Sequence, residues 1–75
     1  MPPLPVLAGS RVVRALEKAG FTVVRIRGSH HVLRHPDGRG TSVPVHGSQD
    51  VRVGTVRSIL RDCGLTADEF VDLLD

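Results

Sequence analysis

The apolar positions of the chain first repeat at a helical period. Val12, Val13, Leu16 and Ala19 share one stripe, with Arg11, Arg14, Glu17 and Lys18 largely on the other face. Ser10 stands where it can cap this helix, and Gly20 where it can end it. From Phe21 to Arg27 the residues become β-favouring, which predicts a strand. Its alternation is imperfect. Phe21 and Val23 share a face with Arg25 and Arg27, and Val24 and Ile26 share the other with Thr22. The expectation is that Val24 and Ile26 point inward and the arginine pair outward. Gly28-Ser29 supplies a tight reversal, and His30 to His35 reads as the second strand of a hairpin. If Val32 faces the core, His31 is exposed on the open face of the sheet. Pro36-Asp37-Gly38-Arg39-Gly40 is a turn. Thr41 to Val45 is a third strand, and Pro44 places it at a sheet edge.

After a loop over residues 46–50 the helical period returns near Val53. Val56, Ile59, Leu60 and Cys63 form the apolar face, Arg52, Arg57 and Arg61 a basic one, and Gly64 the stop. Thr66 and Glu69 are spaced as a capping box for a short acidic helix, with Phe70, Leu73 and Leu74 free to pack. The order predicts an α+β fold, α-β-β-β-α with a three-stranded antiparallel sheet, plus the short last helix. That is the order of the double-stranded-RNA-binding domain, although order alone carries no function. Residues 1–75 make a single domain, with 1–9 as an extended lead-in against which Leu4, Val6 or Leu7 can pack, and 66–74 as the last helix.

Composition narrows the chemistry. The 75 residues are 40% hydrophobic, and Phe21 and Phe70 are the only aromatics. The core must therefore be aliphatic, and nucleic-acid binding on aromatic stacking platforms is disfavoured. From Arg11 to Arg61 there are nine Arg and one Lys against Glu17, Asp37 and Asp50. Beyond Arg61 come Asp62, Asp68, Glu69, Asp72 and Asp75 and no base. A cationic body of this kind suits a phosphate-rich partner, and arginine suits bidentate phosphate contact. The same excess of arginine also follows from a GC-rich genome. The lone Cys63 excludes an internal disulfide and a multi-cysteine zinc site, and reads as a small buried side chain. No stretch approaches the roughly 20 apolar residues of a membrane span, and the first residues do not resemble a signal peptide. A soluble cytoplasmic protein is expected.

Histidine is the one candidate for catalysis. His30, His31, His35 and His46 could in principle bind a metal. Adjacent residues on a strand point to opposite faces, so His30 and His31 do not readily share an ion. Acid–base chemistry fits better, because histidine exchanges a proton near neutral pH. RNA carries its own nucleophile, the 2′-hydroxyl, which a positioned histidine can deprotonate without a metal. Nearby arginines can stabilise the charge that develops on phosphorus. From the chemistry alone the reading of the histidines as polar strand residues, one of them half-buried and hydrogen-bonded, is favoured over catalysis. Ser29 lacks a nucleophile elbow and a carboxylate partner, and reads as a turn residue.

The sequence resembles the HicA family of toxins from bacterial toxin–antitoxin systems. The resemblance is carried by Ala19-Gly20-Phe21, by Arg27-Gly28-Ser29-His30-His31-Val32, by His35-Pro36-Asp37-Gly38, by Val43-Pro44-Val45-His46, and by Val53 to Arg61 with Gly64-Leu65. These elements keep the family's order and spacing over nearly the whole chain. The resemblance implies a double-stranded-RNA-binding-like fold and ribosome-independent cleavage of mRNA. The family's catalytic histidine follows a Gly-Ser-x element, which corresponds here to His31. Beside it, the charge and placement of the residues around the hairpin make Arg25, Arg27 and Arg34, with Gly28, Ser29 and His30, the candidates for RNA binding. No cofactor or metal is implied. The partner implied is a HicB-type antitoxin, expected to cover the face bearing the histidine. Leu33 stands where the family often has an aromatic, and His46 matches a frequent family residue. A non-catalytic double-stranded-RNA-binding module is the alternative.

Overall fold

The structure, a computed structural model, describes residues 4–74; the first three residues of the lead-in and Asp75 lie outside the described residues. Its elements are β1 (Leu7–Ala8), α1 (Gly9–Lys18), β2 (Thr22–Arg27), β3 (His30–Arg34), β4 (Gly40–Pro44), β5 (Asp50–Val51), α2 (Val53–Cys63) and α3 (Ala67–Leu73). Strands β2, β3 and β4 form an antiparallel meander in that spatial order. With α1 before it and α2 after it, this is the α+β arrangement of a double-stranded-RNA-binding-like domain. β1 and β5 add a two-residue antiparallel ladder, Leu7 opposite Val51 and Ala8 opposite Asp50. Strands this short carry no alternation, so nothing in the sequence pattern marks them.

Helix α1 buries Val12, Val13, Ala15 and Leu16, and exposes Arg11, Arg14, Glu17 and Lys18. It starts before Ser10: Ala8 is the N-cap, with no side-chain cap bond. The start is set by close packing instead. A β-carbon on Gly9 would lie 2.1 Å from the carbonyl oxygen of Pro44. At the other end Gly20 takes φ +98°. Its amide donates to the Glu17 carbonyl at 3.0 Å, and the Phe21 amide to the Leu16 carbonyl at 3.1 Å. This paired closure is the Schellman motif, which turns the next apolar residue back into the core; Phe21 is buried.

Helix α2 buries Val56, Ile59, Leu60 and Cys63, and leaves Arg52, Arg57 and Arg61 exposed. The capping box on α3 forms: Thr66 Oγ1 accepts from the Glu69 amide, and Glu69 Oε1 accepts from the Thr66 amide. Phe70 is fully buried, and α3 packs on α1. From the lead-in Leu7 joins the core and Leu4 packs against it, whereas Val6 is exposed.

The sheet departs from simple alternation in β2. Val23 pairs with Leu33, but Arg25 pairs with Val32, so Val24 is an extra residue in a β-bulge. After the bulge Ile26 pairs with His31 and Arg27 with His30. Side chains of directly paired residues share a face. Leu33 and Val43 are fully buried, so the side of β3 and β4 that bears them is the helix-covered one. Arg25 and Arg27 consequently face outward, as expected. Val24 and Ile26 do not enter the core: they are 57% and 60% exposed. The bulge takes up Val24, and Ile26, though turned to the helix side, lies at the thinly covered hairpin end. Leu33, not Val32, is the core residue of β3, which reverses the expectation for His31.

Candidate active site on the hairpin

Arg27 and His30 pair directly across the two-residue loop Gly28-Ser29. Gly28 has φ +57° and Ser29 has no positive φ. These are the signs of a type II′ turn, in which the first position favours glycine. The Ser29 carbonyl accepts from the Val45 amide at 2.6 Å, tying the turn to the chain beyond β4. The loop is thus held on both sides and fixes how β3 begins.

His31 is the second residue of β3. It lies between Ile26 and Val43 on the helix side and is half-buried. Its Nδ1 is buried and has no hydrogen-bond partner. Among the described residues no carboxylate is bonded to the ring. His30 points the other way, is exposed, and pairs with Arg27 and Pro44. Arg25 pairs with Val32, and Arg34 with Thr22 and Gly40, so both belong to the open face with Arg27 and His30. All three arginines are exposed and unpartnered. The candidate residues therefore divide. Arg25, Arg27, Arg34 and His30 lie on the open face, His31 lies on the helix side, and Gly28-Ser29 joins the two at the tip. The sequence reading missed Ile26, the cross-strand neighbour of His31. Only the bulge places it there, and no glycine or proline in β2 signals a bulge.

His35, at the far end of β3, belongs to a structural cluster. Its Nδ1 accepts from the Asp37 amide at 3.1 Å and lies 3.0 Å from Asp37 Oδ1. Its ring meets Phe21 edge-on at 5.0 Å between centroids. Arg39 donates to the Asp37 carboxylate and to the Cys63 carbonyl, with its guanidinium 5.3 Å from the Phe21 ring centroid. The Arg39 backbone amide and then its side chain hold the Asp37 carboxyl below its ordinary pKa of 3.8. Thr41 Oγ1 donates to Asp62 at 2.9 Å, linking β4 to α2. Burial pushes the Cys63 thiol up to about 11, consistent with an inert packing residue. His46 is exposed in the loop before β5, beside a groove lined by Pro44, Gln49, Asp50, Arg52 and Thr55. Among the described residues no three His, Cys, Asp or Glu side chains converge as a metal site. No described helix is long and apolar enough to cross a membrane.

The architecture defines a small α+β domain of double-stranded-RNA-binding type with a cationic open sheet face. A family model described as HicA toxin of bacterial toxin-antitoxin matches residues 9–65, which span α1 through α2 and the whole hairpin. The chain belongs to this toxin family. No curated protein matches it.

Proposed function

We propose that the chain is a metal-independent endoribonuclease that cleaves mRNA with His31 as its acid–base group and is silenced by a HicB-type antitoxin. The observation that carries the reading is the unpartnered Nδ1 of His31. Buried side-chain nitrogens are ordinarily hydrogen-bonded, and a catalytic role is one explanation of an exception. The family match, which covers the hairpin, supports the same reading.

The chemistry runs at Nε2. As base, Nε2 takes the proton of a ribose 2′-hydroxyl while O2′ bonds to the adjacent phosphorus and the bond from phosphorus to O5′ breaks. As acid, it returns a proton to the departing O5′. Both roles carry a proton on Nδ1: in the neutral ring that acts as base, and in the imidazolium that acts as acid. Arg25, Arg27 and Arg34, on the other face, are assigned to phosphates flanking the scissile one, on a strand that passes around the hairpin tip with Gly28, Ser29 and His30 beneath it. Induction of the wild-type chain and of His31→Ala in cells, with mRNA integrity read on gels, tests this. Degradation by wild type only is expected. Equal degradation by a stable His31→Ala chain would remove His31 from the mechanism, and RNA binding without any cleavage would leave the non-catalytic module.

A further inference from the structure

The largest exposed apolar side chains of the sheet lie together, beside the candidate active site. Val24 and Ile26 are 57% and 60% exposed, on a strand at the outer edge of the meander. They alternate with Arg25 and Arg27, which are exposed and unpartnered. Arg27 and His30 close a two-residue loop, so their backbone bonds lie within the hairpin. The alternation of an antiparallel ladder then directs the amide and carbonyl of Ile26 to the free edge. Ile26 is also the direct cross-strand neighbour of His31. The two side chains share the helix side, and a strand added at the free edge would lie beside Ile26 in the plane of the sheet, with β2 between it and His31.

We infer that this edge of β2 is the seat of the protein antitoxin, through a short extended segment whose apolar side chains lie between carboxylates. The inference rests on the toxin reading proposed above and adds the surface on which restraint acts. Three observations specify the occupant. Exposed Val and Ile offer nothing to a phosphate backbone and cannot stack on bases as aromatic rings do, which favours protein over RNA. The flanking guanidiniums require acidic partners, the complement of a segment carrying Asp or Glu. The free backbone groups of Ile26 fit strand addition. The bulge at Val24 confines regular pairing to the neighbourhood of Ile26, so the added strand is short. An antitoxin seated there neutralises by occupying Arg25 and Arg27, two of the arginines assigned to RNA.

The test is the full chain with Val24→Thr and Ile26→Thr together, substitutions that keep β-branched side chains on exposed positions. The probe is the antitoxin protein encoded with this chain. Binding by titration calorimetry should weaken at least about tenfold, and co-expressed antitoxin should no longer protect cells, since a central apolar contact dominates such an interface. RNA binding by the purified variant should stay within about twofold of wild type, because Arg25, Arg27 and Arg34, the residues assigned to phosphate, are unchanged. Wild-type and variant chains bound equally by the antitoxin would overturn the surface and leave the toxin reading intact. A variant that binds antitoxin normally but loses affinity for RNA would assign the patch to RNA and overturn it too. A wild-type chain that its antitoxin does not bind would overturn the toxin reading and the surface with it.

Discussion

His31 stands directly across the sheet from Val43, and Val43 is completely buried. The pairing draws the histidine to the helix side, although its chain neighbour His30 faces solvent. There its Nδ1 has no partner. Leaving a buried polar atom unsatisfied costs about 1–3 kcal/mol. His31→Leu, which removes the atom and keeps apolar bulk, should therefore raise stability by about 1 kcal/mol. In a domain of this size that is a rise in Tm of roughly 4–8 °C. Thermal unfolding followed by circular dichroism reads it. A clear loss of stability would mean that the ring is held by interactions and kept for folding.

Two helical glycines should respond in opposite directions. A β-carbon at Gly9 would meet the Pro44 carbonyl oxygen at 2.1 Å, and both sides of that contact are backbone. Gly9→Ala should cost about 2 kcal/mol or more through overpacking. Gly54, in the first turn of α2, has nothing within 4 Å of such a carbon. Gly54→Ala should stabilise by about 0.5 kcal/mol, chiefly by restricting the unfolded chain. Urea unfolding of the two variants beside wild type tests both signs.

The Asp37 turn makes stability depend on acid. The Arg39 amide and guanidinium lower the Asp37 pKa below 3.8 in the folded chain, so folding favours the carboxylate. The resulting stability is fully present above the unfolded value and is lost as pH falls through the folded one. Asp37→Asn should thus be less stable than wild type at neutral pH, and the gap should close as the pH drops below the ordinary carboxylate range. Glu69, lowered by the Thr66 amide, contributes in the same direction and is unchanged in this comparison. Unfolding free energies of the two chains across acid pH provide the measurement. A gap that stays constant down to about pH 2 would contradict the linkage.

The separation of faces predicts a split in kinetics. Arg25→Gln, Arg27→Gln and Arg34→Gln should each weaken RNA binding and lower its salt dependence by about 0.7 in the logarithmic slope, the value for one phosphate on a single strand. Turnover at saturating RNA should hold, since these residues face away from His31. A fall in kcat with unchanged KM would instead place an arginine at the scissile phosphate.

Much of this fold is legible in the chain because its signals are local. The Gly20 and Gly64 stops, the Thr66–Glu69 capping box, the Gly28-Ser29 turn and the edge position of Pro44 all depend on residues within a few positions of one another. The faces of β2 are not legible. The bulge at Val24 arises because Phe21 and Val23 turn toward the core while Arg25 and Arg27 must leave it, and a strand without an extra residue cannot do both. That conflict is visible in the imperfect alternation, but its resolution is not. The error carried over to β3, where Val32 and Leu33 are equally apolar and only the pairing of Leu33 with Val23 and Thr41 decides which is inside. For the site, the residue motif singles out His31 within the family, whereas its neighbour Ile26 and its unpaired nitrogen emerge only from the three-dimensional register.

Purified wild-type and His31→Ala chains incubated with mRNA in the presence of a chelator test whether His31 is the acid–base group. Wild type should cut without added metal and leave 2′,3′-cyclic phosphate ends. His31→Ala should stay folded and bind RNA, with a cleavage rate lower by at least about 100-fold, the usual contribution of one acid–base group. Cleavage by the folded His31→Ala chain at the wild-type rate would contradict it.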